Sequence, residues 1–343
     1  MLPATGGEAS AVTRLLGGVS EIAATARGSD AVVIAADLLP SADSLETDAT
    51  ARAERTTKKI TANLHESYPV RYWDHDLTPR PGRSADTGGQ GLTPDGRTLI
   101  VSLRVQEHRA GRFIIVSIDV ESGTMITLIE KEGVEFEVPA VSRDGRRIAF
   151  VRAAFSTPSG PADQELCVAD IDSGNGRRVA EGGDRWPSSL IFDAHDEAPI
   201  VTADQDGRGP VFRVPLDGGS PIQLTTDDFS YTDVAVDVDT GDLVALRSSW
   251  VTPPHPVRIA RSGVITPLAT PAWLPEVPGS ITEAQTTVED GAGVSGWLLL
   301  PEDASPGHPA PLLYGAAARS GFTYRLWSRL HRPRLGCLGS LGS

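Results

Sequence analysis

Asp74-His75-Asp76 sets two carboxylates and an imidazole in consecutive positions, the raw material of a metal site or an acid/base pair. The stretch lies in an extended aromatic run where neighbours alternate faces, so His75 turns away from both aspartates and a rim strand with satisfied polar groups is expected. Arg71 and Trp73 share one face of that run and fit an Arg/aromatic packing stack. Glu130, Glu132, Glu135 and Glu137, with Lys131 among them, could take a cation or a peptide amine. They lack the Asp/Asn/Gly order of a calcium loop and are expected to form a solvated loop between repeats. Asp204-Gln-Asp-Gly-Arg-Gly209 has the glycines of a phosphate loop but no helix after it, so a hairpin turn is expected. Cys167, in an apolar run, reads as a buried core thiol. No catalytic, cofactor-binding or metal-ligating residue is assigned, and no cofactor is expected.

What surrounds these residues is a repeat. Pro94-Asp95-Gly96 opens a β-branched run at residues 98–103, a second run follows, and Glu121-Ser122-Gly123 turns the chain into a third, which is an antiparallel meander. The first turn recurs at residues 142–145, 192–196 and 238–241, and the second at residues 170–174, 216–219 and 261–263. Both series advance by about 45 to 50 residues per step, the period of a four-stranded propeller blade. The runs at 98–103, 147–151, 199–203 and 243–246 are almost continuously apolar, as strands covered on both faces must be. Third strands are expected at 165–170, 210–214 and 256–260. A lone meander cannot bury both faces, so stability has to come from neighbouring blades.

Composition agrees with this. The 343 residues are 40% hydrophobic, with 35 Gly and 26 Pro, as suits a turn-rich all-β chain. A net charge of -14 argues against nucleic acid as a partner, because phosphate binding needs a basic face. Two cysteines, Cys167 and Cys337, allow no disulfide framework and suit a reducing compartment. Neither a secretion signal nor a membrane-length apolar run is visible, so a cytoplasmic location with no membrane partner is expected.

Ahead of the regular repeats, residues 10–16 read as one strand left over from a missing blade, and 31–35 as an inner strand. An Ala-, Arg- and Thr-rich segment at 48–64, with Asp48 as N-cap, reads as a helix inserted into the first blade. A strand follows at 68–77, then turn chemistry without a strand at 78–83, so that blade is expected to lack its outer strand. Beyond Pro271 the repeat stops, and residues 281–301 form a different hairpin joined near Asp290-Gly291.

Four features in one order resemble the prolyl oligopeptidase family of serine peptidases, in its dipeptidyl-aminopeptidase and acylaminoacyl-peptidase-like branch. They are Pro69-Val-Arg-Tyr-Trp-Asp-His-Asp-Leu77 after a helical insertion, the Pro-Asp-Gly blades, residues 203–213, and Glu289-Asp-Gly through Gly296-Trp-Leu-Leu-Leu-Pro301. The resemblance covers roughly residues 6–313. It implies a propeller that admits short peptides to an α/β-hydrolase domain opened by the Gly-Trp-Leu-Leu-Leu-Pro strand. It also implies a His-Gly-Gly segment after residue 313 and a later Gly-x-Ser-x-Gly elbow. Neither occurs: Ser84 has Gly82 but Asp86, and Ser295 has Gly293 but Trp297.

In their place stands a tail, residues 314–343, with arginines but no lysine and no acid. Its composition is that of a GC-rich gene read out of frame; the other reading is a basic tail that docks on the acidic body or on a partner. The expected organisation is a β-propeller at 1–275 with its helical insertion at about 45–66, the start of an α/β-hydrolase domain at 276–313, and the tail. About five blades are recognisable, too few for the family's ring, so an incomplete ring and self-association through open blade edges are expected. The chain is expected to be the substrate-gating part of a peptidase, inactive alone, with short peptides as partners. The alternative is a freestanding propeller that binds peptides or proteins.

Overall fold

The computed structural model describes residues 19, 21–23, 33–37, 45–57, 70–73, 87–107, 110–155, 157, 163–180, 185–268 and 278–310, apart from positions 175, 288, 290, 292 and 306. The strand expected at 10–16 and the turn chemistry at 78–83 lie outside the described residues, as does the tail. Two compact units are present, residues 1–179 and 180–343.

In the first unit, β1 (Glu21–Ala23), β2 (Val33–Asp37) and β3 (Val70–Trp73) form a three-stranded antiparallel sheet in chain order. The expected inner strand is β2, displaced by two residues, and β1 was not expected at all. The helix α1 (Leu45–Thr57) sits between β2 and β3, where an insertion was expected. Its beginning corrects the capping assignment: the helix starts at Leu45, so Asp48 lies inside the first turn instead of capping it. There its carboxylate favours the helix dipole and meets the Arg52 guanidinium at 2.7 Å, one turn on.

Two four-stranded antiparallel sheets follow. The first is β4 (Thr87–Leu92), β5 (Thr98–Glu107), β6 (Ala110–Asp119) and β7 (Met125–Ile129). The second is β8 (Val134–Val141), β9 (Arg147–Ala154), β10 (Asp163–Asp170) and β11 (Arg177–Arg178). Their alternation explains the continuous apolar runs. On β5, Leu99, Val101 and Leu103 cluster with Ile114 and Val116 on one face, while Ile100 points the other way. There, with Ile115, it joins Phe136, Ile148, Phe150 and Cys167 of the next sheet. The facing sides of the two sheets thus bury one another, and Phe136 meets Phe150 edge to face at 5.8 Å between centroids.

β8 carries a bulge. Glu137 pairs with Val151 and Ala140 with Ala149, so two residues, Val138 and Pro139, stand opposite one. Val138 takes a left-handed conformation, φ 52°, unusual for a β-branched side chain.

The recurring Asp-Gly turn shows its chemistry best at residues 142–147. The Ser142 hydroxyl donates to the Asp144 carboxylate (2.6 Å) and accepts the Arg147 amide (2.9 Å), while Asp144 accepts the Arg146 amide (3.0 Å). Gly145 closes the turn at φ +72°, which an L side chain disfavours. Thr93, Asp95, Arg97 and Thr98 repeat the same three bonds in the preceding sheet. These bonds, the serine or threonine hydroxyl first, hold Asp95 and Asp144 below the usual carboxylate range. The native state then binds fewer protons than the unfolded chain. The contribution is present above a pH of about 4 and is lost as pH falls through that value towards the lowered native one. Replacing Ser142 with alanine should cost about 1 kcal/mol at neutral pH in urea denaturation. Asp144→Asn should flatten the acid limb of the stability profile.

The second unit holds two further sheets of the same kind. One is β12 (Pro187–Phe192), β13 (Pro199–Ala203), β14 (Val211–Arg213) and β15 (Ile222–Gln223). The other is β16 (Ser230–Val236), β17 (Leu243–Ser248), β18 (His255–Ile259) and β19 (Ile265–Pro267). Ile200 and Val211 pack with Tyr231, Leu243, Val257 and Ile259 in one cluster. With the first unit's pair, this makes the four regular blades that the turn series predicts. The chain then forms a separate hairpin, β20 (Ser280–Thr287) and β21 (Gly293–Leu300), in unbroken antiparallel register from Ser280↔Leu300 to Thr287↔Gly293.

Candidate functional site

The residues singled out for chemistry do not converge. Asp74, His75 and Asp76 lie outside the described residues; Arg71 and Trp73 fall on β3, one strand residue apart, with side chains outside the description. The acidic stretch needs a correction: Glu135 and Glu137 stand in β8, not in a loop, because they alternate with buried Val134 and Phe136. Burial, then the charge of Glu137, raises the Glu135 carboxyl above its usual value. Glu130 at the end of that connection pairs with the Arg112 guanidinium. Cys167 is buried, and desolvation followed by the Glu165 charge pushes its thiol up to about 11, so it holds its proton and stays unreactive. Among the described residues no group of three or more His, Cys, Asp or Glu side chains could hold a metal ion.

The best-developed polar constellation lies where the β13–β14 hairpin meets the β20–β21 hairpin. Gln205 and Arg208 exchange backbone bonds of 3.0 and 2.9 Å around Asp206 (φ 50°) and Gly207 (φ 72°). Two left-handed central residues make the turn that Asp-Gly favours between twisted strands. A side chain at Gly207 would also collide with the Trp297 indole, whose Nε1 would stand 2.9 Å from the added carbon. The indole N–H donates to the Gly207 carbonyl at 3.2 Å, and the Arg208 guanidinium lies over the ring, 4.7 Å from its centroid.

Arg208 uses its whole fork. Nε donates to Asp228 at 2.7 Å, Nη1 to the Asp206 carbonyl at 2.8 Å, and Nη2 to Glu283 of β20 at 3.3 Å. Burial alone would lower this guanidinium, but the bonds to Asp228 and Glu283 outweigh it and hold it above its usual value. Glu283 is held below the usual range by the Gln285 amide and then by Arg208.

Asp228 has a neighbour with the opposite allegiance. The Asp227 carboxylate binds Arg247 at 2.6 Å and accepts the Tyr231 hydroxyl at 2.9 and 2.8 Å, while Arg247 stacks on Phe229 at 3.6 Å. Burial, then the bond to Asp227, raises the Tyr231 hydroxyl well above its ordinary value. Consecutive carboxylates therefore tie β20–β21 and the β16–β19 sheet to the same short segment. A guanidinium fork, two carboxylates and an indole make a positioning device; no proton or acyl group is set to move there.

Neither partner of this contact was identifiable as such in the sequence. Residues 203–213 and the Gly-Trp-Leu-Leu-Leu-Pro strand were both conspicuous, but nothing in their spacing says that they touch.

No family model matches the chain. Over 163 residues, 43% of this chain and 22% of the relative, it is 25% identical to dipeptidyl-peptidase 5 of Arthroderma otae. Among solved structures, a prolyl endopeptidase shares the fold at a TM-score of 0.54 and 14% identity, over 84% of this chain and 40% of that one. The acylaminoacyl peptidase of Pyrococcus horikoshii does so at 0.54 and 12% identity, over 84% of this chain and 44% of that one. The chain therefore spans less than half the length of each of these relatives. The resemblance to the prolyl oligopeptidase family is met again in all three, and the sheets are those of a β-propeller like theirs.

Proposed function

We propose that this chain is the propeller part of a prolyl-oligopeptidase-type serine peptidase, that it screens peptides by size ahead of a hydrolase site, and that alone it cleaves none. The observation that carries this reading is the β20–β21 hairpin: it follows the last blade, ends in Gly-Trp-Leu-Leu-Leu-Pro, and is fastened to a blade turn through Trp297 and Glu283. A fastening of that kind suits a strand pair that leads from a propeller into another domain. On this reading residues 1–275 are the propeller and 276–313 the beginning of the hydrolase, with short peptides as ligands and the cytoplasm as location. No helix among the described residues is long and apolar enough to cross a membrane.

Purified chain incubated with aminoacyl and acylaminoacyl chromogenic peptides should give no turnover above blank, since no serine here has the Gly-x-Ser-x-Gly setting that exposes a nucleophile. Covalent labelling by a fluorophosphonate serine probe would overturn the inactivity. Absence of any binding to short peptides would remove the screening role.

A further inference from the structure

We propose that Asp206-Gly207 is a site of spontaneous backbone isomerisation, and that the isoaspartate formed there unfastens the β20–β21 hairpin. An aspartate before glycine can cyclise because glycine, without a Cβ, leaves its amide nitrogen unhindered. The Gly207 nitrogen attacks Cγ of the Asp206 carboxyl group: the N–Cγ bond forms, a Cγ–O bond breaks, and that oxygen leaves as water with the amide proton, giving a succinimide. Water then adds to the former peptide carbonyl and breaks its bond to nitrogen. The chain now runs through Cβ and Cγ, and the old carbonyl is a free α-carboxylate. One water is lost and one gained, and no other reactant is needed.

Five Asp-Gly steps occur in the sequence, at 95, 144, 206, 217 and 290. Asp290 lies outside the described residues, and the structure separates the other four by what their reacting groups already hold. At Asp95 and Asp144 the glycine amide donates to the Thr93 or Ser142 carbonyl (2.8 and 3.0 Å), and the carboxylate takes a hydroxyl and a backbone amide. The same bonds keep these carboxyls ionised, the form from which oxygen leaves least readily. At Asp217 the Gly218 amide donates to the Pro215 carbonyl at 3.4 Å, and the carboxylate accepts the Gly219 amide at 3.1 Å. Asp206 differs on both counts: among the described residues neither its carboxylate nor the Gly207 amide has a hydrogen-bond partner, and both residues are exposed. Bonds that must break before cyclisation should slow Asp95 and Asp144 about tenfold relative to Asp206.

The product forms at the fastening itself. An added main-chain carbon lengthens a tight turn whose geometry sets the Gln205–Arg208 backbone pair. It shifts Gly207, whose carbonyl takes the Trp297 indole N–H, and turns the carbonyl that holds Arg208 into a carboxylate on a side branch. That carboxylate competes with Glu283, 3.3 Å away, for the Arg208 fork. Neither step depends on the peptidase reading.

Ageing the full chain in mildly acidic buffer, followed by peptide mapping and by methylation with an isoaspartyl methyltransferase, tests the site. Isoaspartate should appear at 206 roughly tenfold ahead of 95 and 144, with 217 between them. Asn175 and Asp290, each before a glycine, lie outside the described residues and are read apart by the mapping. Hydrogen exchange at 280–287 and 293–300 should quicken roughly tenfold in the isoaspartate-bearing fraction, and should not change in aged D206E, where a larger ring would have to close. The unaltered chain before and after ageing gives this comparison without any variant having to fold. No isoaspartate at 206, or its earlier appearance at 95, 144 or 217, would overturn the site. Isoaspartate at 206 with unchanged exchange, or equal quickening in aged D206E, would overturn the unfastening.

Discussion

Replacing Phe150 with alanine is expected to remove about 3–5 kcal/mol from the stability of residues 1–179, the largest loss foreseen for a single side chain here. Phe150 is 1% exposed and sits where the two four-stranded sheets of that unit meet, among Ile100, Ile115, Phe136, Ile148 and Cys167. Its ring tip fills the space over Gly176, where even an added Cβ would come within 2.8 Å. Truncation would therefore leave a cavity lined by side chains held on hydrogen-bonded strands, with little freedom to collapse. Against a typical domain stability of about 5–15 kcal/mol, the unit would be close to unfolding. Urea denaturation followed by circular dichroism measures it, with Ile126→Ala, at an outward position on β7, as a control near zero. A loss below about 1 kcal/mol at Phe150 would mean that sheet-on-sheet burial is not what holds this unit.

Arg208→Ala should loosen β20–β21 without disturbing the sheet beneath it. The substitution removes a cation over an indole and a hydrogen-bonded ion pair to Glu283, together about 1.5–2 kcal/mol for partly exposed groups. Opening of the hairpin, read by hydrogen exchange at 280–287 and 293–300, should become roughly 10- to 30-fold more frequent. Arg208→Lys keeps the charge but not the fork or the flat stacking surface and should fall between the two. The β16–β19 sheet should keep its protection, because Arg247 holds Asp227 independently. Equal loss in both places would show that the segment around Asp227 and Asp228 is one cooperative piece. No change in either would leave Arg208 without a positioning role.

The blades were legible because their cause is local. Turn residues with left-handed backbones recur in step, and doubly buried strands must be apolar at every position. Short elements gave no such signal: Glu21-Ile-Ala23 is too brief for any period. The charges of Glu130, Glu132, Glu135 and Glu137 read as a solvated loop, whereas the alternation of Glu135 and Glu137 with Val134 and Phe136 is the mark of a strand. Asp48 has the side chain of a cap and opens the run of helix formers, yet Leu45, Glu46 and Thr47 before it are also helical. The Arg208–Trp297 contact joins residues 89 positions apart in the chain, and a repeat period cannot say which turn a later hairpin will meet.

The bulge in β8 also governs which changes of length the gene can accept. Val134 and Phe136 before it, and Val141 after it, all face Ile148 and Phe150, although even and odd positions of an unbroken strand would face opposite ways. The extra residue at Val138 is a parity correction. A substitution there alters one side chain, whereas loss of that single codon would turn Val141 outward, or else turn Val134 and Phe136 outward and bring Glu135 and Glu137 round to the aromatic core.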